Sequence, residues 1–337
     1  MPANTNGVYY QDPVELAAAE FTPFLVSADT SLPATPFDFA GARDLFAQLN
    51  SHEFLTTSLT GSNNDLNFFA RLPGSTDYTV EYRDPSANNA ALSVTVHAYL
   101  KTLLTGSNND LVFTAVQEGA SGEAITVRYL DPAANDAVES VSVSGNAITV
   151  NLATGVAGAI TSTGDSIKAS LLASAAASAL VTAVDAASND GSGAVTALSA
   201  TALGGRAVIV HLATGVAGAI TSTAAQVAAA ITADTLASAV VIAENAASNT
   251  GAGVVIAMAQ TALAGPTGTN PTLDVTLKHG ITPTALATHS AFAQKTTATT
   301  EFKVFPVVAS KGQWLFDVGG TNPVFAVSIA AQYKPTT

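Results

Sequence analysis

The string LATGVAGAITST occurs at Leu152–Thr163 and again at Leu212–Thr223, twelve identical residues at an offset of 60. Identity over that length at a fixed spacing means a duplicated unit, so one set of local contacts must be satisfied twice. The match continues past the string. Ala186-Ala-Ser-Asn189 matches Ala246-Ala-Ser-Asn249, and Gly191, Gly193, Thr201, Leu203 and Gly205 match Gly251, Gly253, Thr261, Leu263 and Gly265. These residues define back segments at 146–205 and 206–265. A second pair precedes them. LTGSNNDL stands at Leu59–Leu66 and at Leu104–Leu111, and Tyr78–Pro85 matches Ile125–Pro132. Front segments therefore span 59–96 and 104–145. The order front, front, back, back has two possible histories: tandem duplication of each half, or one complete front–back module inserted in another. The second front runs into the first back without a break, which favours nesting.

Within the repeats the apolar spacing separates strands from helices. Ile125, Val127 and Tyr129 alternate with Thr126 and Arg128, and Tyr78, Val80 and Tyr82 repeat that pattern. This is the period of a half-buried strand. Asp-Pro ends each run, since proline brings no N–H to a ladder. Val141–Val150 reads as a hairpin whose Gly145-Asn146 supplies the positive φ of a tight turn. Each back segment adds a helix. Thr223-Ala-Ala-Gln226 has capping-box spacing. Val227, Ala230 and Ile231 form an apolar stripe behind it, as Ile167, Leu171 and Ala175 do in the other copy. Strands are predicted at Ala179–Val184 and Ala239–Ala243, with turns following at Asn189-Asp-Gly191 and Asn249-Thr-Gly251. Residues 59–265 are thus predicted to be a small α+β module present twice.

The aromatic residues lie elsewhere. Residues 1–58 hold Tyr9, Tyr10, Phe21, Phe24, Phe37, Phe39, Phe46 and Phe54, and residues 266–337 hold Phe292, Phe302, Phe305, Trp314, Phe316, Phe325 and Tyr333; the back segments hold none. The ends are therefore predicted to build one β domain from 36–58 plus 266–337. Leu45–Leu49 and Leu273–Leu277 would be neighbouring strands in it. The repeats become an insertion at a loop tip, where insertion is tolerated. Residues 1–35 include Pro13, Pro23 and Pro33. They read either as an extended arm over a neighbouring subunit, through Tyr9, Tyr10, Phe21 and Phe24, or as a loosely attached first strand. More than one domain fits a length of 337 residues, since single cores stop growing at about 250–300.

Composition narrows the function classes. A net charge of −13, with no Lys/Arg cluster, argues against nucleic acid. The absence of cysteine excludes disulfides, thiol catalysis and Cys-ligated metal. Met1–Pro13 lacks the basic and apolar regions of a secretory signal. Ala169–Ala187 is interrupted by Ser, Thr and Asp and falls short of a membrane span. Charged residues make up only 11%, against about 25% in ordinary domains, which fits a surface covered by neighbours.

Candidate chemistry is sparse. None of His52, His97, His211, His279 and His289 lies at metal-ligand spacing from another, and His211 replaces Asn151 of the other copy. Ser62–Asp65 and Ser107–Asp110 offer oxygens for Ca²⁺, but an Asx turn into a strand explains them as well. The Gly-x-x-Gly of the repeated string lacks the lysine of a phosphate loop and reads as a turn before a helix. Asp131 and Asp136 read as solvated turn residues. No catalytic, cofactor-binding or metal-binding residue is assigned, and no cofactor is expected.

A family resemblance adds to this reading. Thr269-Asn-Pro-Thr-Leu-Asp-Val-Thr-Leu277, Phe292-Ala-Gln294 and Val318-Gly-Gly-Thr-Asn-Pro-Val-Phe-Ala-Val-Ser328, with Pro36–Leu45 as first strand, resemble a β-sandwich domain of tailed-bacteriophage structural proteins. The repeats' strings Asn109-Asp-Leu-Val-Phe-Thr-Ala115 and Ala219–Ile231 resemble modules of phage virion proteins. Lys278-His-Gly280 departs from the acidic turn common in that family. The resemblance implies a mainly β fold with an α+β insert: a jelly-roll-like sandwich formed by both chain ends, carrying the duplicated module. It implies a non-enzymatic virion protein assembled in the host cytoplasm, a homotrimeric capsid decoration or cement protein bound to the major capsid protein, with neither nucleic acid nor membrane as partner. The alternative is a tail or fibre component binding host-surface glycan, which predicts exposed aromatics on the insert. A depolymerase would be a third class, and no residues here suggest one.

Overall fold

A computed structural model describes residues 14–15, 21–39, 42–72 and 77–335. The chain is mainly β, with 50% of residues in strands and 12% in helices. Among the described residues, strands are numbered β1 to β21 and helices α1 to α4 in chain order. The chain divides into two units. One comprises residues 1–56, 67–75 and 263–337, the other 57–66 and 76–262.

The first unit is built around β21 (Lys311–Pro335), a strand of 25 residues. Its first half pairs antiparallel with β18 (Thr267–Gly280) and β3 (Thr30–Asp38). Its second half pairs antiparallel with β4 (Ala42–His52), β2 (Phe21–Val26) and β1 (Val14–Glu15). β19 (Leu286–Ala291) adds to β18, and β20 (Thr299–Pro306) adds to β4. One curled sheet of eight strands results. The short hairpin β5 (Phe54–Thr56) and β6 (Leu66–Ala70) pairs through Phe54–Phe69 and Leu55–Phe68.

Alternation explains the core of this unit. Leu45, Ala47 and Leu49 on β4, and Leu273, Val275 and Leu277 on β18, all point inward. On β21 the buried series is Trp314 and Phe316, then Phe325, Val327, Ile329 and Ala331. The parity changes between Phe316 and Phe325, so the strand must break its pleat there. Gly320 (φ 107°) and Asn322 (φ 51°) make the break. That break lets one strand serve both halves of the sheet. It also corrects one expectation: Leu45–Leu49 and Leu273–Leu277 share a core but are not neighbours, because β21 runs between them.

The second unit contains the repeats. β10 (Thr126–Leu130), of the second front segment, pairs parallel with β12 (Ala147–Asn151), of the first back segment. β11 (Ser140–Ser144) pairs antiparallel with β12 across the Gly145 turn (φ 58°), and β14 (Leu198–Ala202) pairs with β10. The sheet order is β11-β12-β10-β14. β7 (Tyr78–Arg83), of the first front segment, pairs parallel with β15 (Gly205–His211), at the junction into the second back segment. β8 (Ser93–Lys101) pairs antiparallel with β15, and β17 (Met258–Ala262) pairs with β7. The run β8-β15-β7-β17 thus has the order and strand senses of β11-β12-β10-β14. β9 (Leu111–Glu118) and β13 (Val181–Asp185) extend it as β13-β9-β8. α1 (Gly164–Ala173) and α3 (Ala224–Ala233) bury Ile167 and Leu171, and Val227 and Ile231. The short α2 (Ala175–Ser178) and α4 (Thr235–Val240) follow them, and β16 (Val241–Asn245) follows α4.

Candidate functional site

The two most repeated strings meet in the second unit, and their geometry accounts for most of their identity. In the Ser-Asn-Asn-Asp loops, Asp110 Oδ1 accepts from Leu104 N at 2.7 Å and from Thr102 Oγ1 at 3.1 Å. Asp65 Oδ1 accepts from Leu59 N and Thr57 Oγ1 at the same distances, 2.7 and 3.1 Å. Asn109 Nδ2 donates to Thr105 O and Ala194 O, both at 2.9 Å. Asn64 Nδ2 donates to Thr60 O at 2.9 Å and Val254 O at 3.1 Å. Asn63 and Asn108 take φ of 57° and 58°, the left-handed region that asparagine tolerates. These residues clamp a loop onto a distant turn. The carboxylate oxygen that would face a cation is engaged by backbone and hydroxyl donors instead. Among the described residues no group of three or more His, Cys, Asp or Glu is placed to hold a metal ion.

The turn they clamp is Gly-x-Gly. Gly193 N donates to Asn108 O at 2.9 Å, and Gly253 N donates to Asn63 O at 2.7 Å. A Cβ on Gly193 would lie 2.0 Å from Ser107 O, and one on Gly253 2.0 Å from Ser62 O, so only glycine fits.

The same turns close the N-termini of α1 and α3. The first N–H groups of any helix lack intrahelical partners and attract anions. Here Gly164 N donates to Gly193 O at 3.3 Å and Asp165 N to Gly191 O at 2.8 Å. Ala224 N and Ala225 N donate to Gly253 O and Gly251 O at 3.0 and 2.9 Å. The cap residues Thr163 and Thr223 accept from the amides of Ser166 and Gln226, whose side chains accept from the cap amides in return. The donors that would cradle a phosphate are already used, so the repeated Gly-x-x-Gly is a structural turn. Its tip projects instead: Val156 and Val216 are each 80% exposed.

The first back segment carries a polar cluster that the sequence reading missed. Lys168 bridges Asp165 at 2.9 Å and Asp185. Burial disfavours its charge, but hydrogen bonds to Asp185 and Asp165 outweigh that and raise its pKa. Glu139 accepts from Ser166 Oγ at 2.6 Å and from Ser170 Oγ at 2.5 Å. Asp165 and Lys168 stand three apart on one helix, a visible signal; Glu139 and Asp185 reach the cluster through the fold and leave none. In the other copy Ala225, Ala228 and Asn245 stand in place of Asp165, Lys168 and Asp185, so the repeat does not require the cluster.

The histidines scatter. His52 is buried and held by Ala70 O and Ser328 Oγ, both at 2.7 Å; burial lowers its pKa against the opposing hydrogen bond to Ala70. His97 Nδ1 lies 2.9 Å from Ala115 O. His211 contacts Thr95 Oγ1 at 3.3 Å, and its pKa is lowered by burial and then by Arg83. Only His279 and His289 meet, their rings stacked with centroids 4.2 Å apart.

Of the proposed contact arm, Tyr9 and Tyr10 lie outside the described residues. Phe21 and Phe24 stand on β2, whose backbone pairs with β21 of the same chain opposite Ile329 and Val327. Phe24 packs edge-on against Phe316 at 5.5 Å. Residues 21–26 are therefore laid in their own chain's sheet. Proline at 23 fits there, because the register shifts between Phe21 and Phe24.

No family model, curated protein or solved structure matches this chain.

Proposed function

We propose that this chain is a non-enzymatic structural protein of a tailed-phage virion, a homotrimeric decoration or cement protein that binds the head lattice through the major capsid protein. One observation carries the reading. The segments that resemble the phage domain are Pro36–Leu45, Thr269–Leu277, Phe292–Gln294 and Val318–Ser328; more than 220 residues, most of them repeat, separate the first from the others, yet they supply one hydrophobic core. That favours the sandwich reading of the first unit. The repeats support a projecting role, since their repeated motifs are used up in holding turns and helix ends. The glycan-binding alternative calls for exposed aromatics on residues 59–265. The large exposed apolar residues described there are Leu, Val and Ile, among them Leu103, Val138, Val156, Leu172 and Val216. A density map of the particle that places the chain on the head tests the assignment; one that places it only in the tail sinks it. Light scattering of the purified protein tests the trimer.

The same reading takes residues 59–265 as one module with a copy of itself inserted in a hairpin. The pair Ser144–Ala147 closes the β11–β12 hairpin, and His97–Ala207 holds the corresponding place between β8 and β15. Replacing residues 98–206 by Gly-Asn should leave a folded protein. A variant without a cooperative thermal transition would sink the nested reading.

A further inference from the structure

His279 is the least expected residue in the first unit's core. It is only 5% exposed, and neither ring nitrogen has a hydrogen-bond partner. An imidazole always carries at least one N–H, so this burial leaves a donor unsatisfied even in the neutral form. Its ring is held between two others. Phe39 meets it edge-on at 4.9 Å, and His289 lies stacked on it at 4.2 Å, tilted by 19°. His289 Nε2 donates to Pro306 O at 2.9 Å, which fixes the second ring in place. His279 sits on β18 opposite Ala287 of β19 and Gly312 of β21.

Among the described residues, the charged groups on the neighbouring strands are engaged elsewhere and none acts as a counter-ion to His279. On β21, Lys311 is committed to Asp38 at 2.6 Å. On β20, Glu301 is paired with Lys295 at 2.5 Å, and the Lys303 ammonium donates to Ala291 O. On β18 itself, Lys278 points to the opposite face by alternation. A proton added to His279 would therefore place a charge in an apolar slot, pressed against the ring of His289.

We infer that the His279–His289 stack is an acid-responsive latch: once His279 is protonated its ring cannot stay in this slot, and β19 is released from β18, opening the first unit while leaving the second folded. This goes beyond the virion reading and does not depend on it. The burial of His279 holds its pKa down at about 4, with His289 adding to the effect. The sign follows from linkage. An unfolded histidine titrates near 6.5, so between about 6.5 and 4 the unfolded chain binds more protons. The stability that this residue contributes is complete above that window and is lost as pH falls through it.

The protein carries its own reporter. Trp314 is the one tryptophan, it is fully buried, and it stands opposite Leu277, two residues from His279. Its emission should shift to the red in one transition between about pH 6.5 and 4 while far-ultraviolet helix signal, which comes from the second unit, persists. In His279→Phe the midpoint should fall by about one pH unit or more, and in His289→Gln by less. If His279→Phe does not fold at neutral pH, the wild-type His279 Cε1–H resonance decides. It should stay at its neutral shift until Trp314 becomes exposed. A His279→Phe transition that overlays the wild type, a midpoint moved only by His52→Gln, or a His279 resonance titrating near 6.5 with Trp314 still buried would each overturn the proposal.

Discussion

The two back segments answer one structural problem with different surfaces. α1 and α3 have the same length, start at the same Thr cap and bury equivalent positions, Ile167 and Leu171 against Val227 and Ile231. Their exposed faces have diverged. α1 carries Lys168 between two aspartates and two serines bonded to Glu139, whereas α3 presents alanines. What persists is the apolar stripe, the cap and the glycine turn. The ionic residues are additions to a scaffold that stands without them. The second helices differ as well. Ser174 caps one amide of the four-residue α2, while Asp234 caps two amides of the six-residue α4. A stronger cap accompanies the longer helix, consistent with how little a short helix gains from its own ladder.

This comparison can be broken most forcefully in the core. Leu171→Ala and Ile231→Ala should each cost about 2–5 kcal/mol in denaturant unfolding, and by similar amounts, since both side chains are at most 3% exposed. A large inequality would mean that the two scaffolds are not equivalent. Gly193→Ala and Gly253→Ala come next, at about 1–3 kcal/mol for overpacking against a carbonyl; thermal midpoints should fall alike for both. Thr163→Ala and Thr223→Ala should lose about 1 kcal/mol each, read as lower helix content by circular dichroism. The smallest effect sharpens the contrast. Lys168→Ala should cost less than about 1 kcal/mol, because the pair with Asp185 is partly solvated, and added salt should shrink the difference further.

Local features were legible in the sequence because local physics makes them. The Thr223–Gln226 capping box and the Gly145 turn occur where spacing placed them. β7 and β10 follow the period-2 runs. Long-range pairing was harder to read. The parallel partners β7 and β15 lie about 120 residues apart in sequence, and nothing in either strand names the other. β21 runs well beyond the Val318–Ser328 segment that the resemblance marks, and its Gly-Gly-Thr-Asn-Pro residues form a break in the pleat within a continuous ladder. Nothing in the sequence marks His279 as buried, because an imidazole buried without partners violates the rule by which polar residues are sorted.

β8 serves two hairpins: Ser93–Tyr99 pairs with β15, and His97–Lys101 with β9. Its partner β15 begins at Gly205, so the outer hairpin must close a loop of more than a hundred residues. Loop closure of that length is slow when the loop is a coil. Once residues 102–204 fold, their ends are drawn together and the outer hairpin becomes a nearly local event. The chain should therefore assemble from the inside outward, and a mutation that weakens β10 or β12 should slow closure of β8 on β15 even though it touches neither strand.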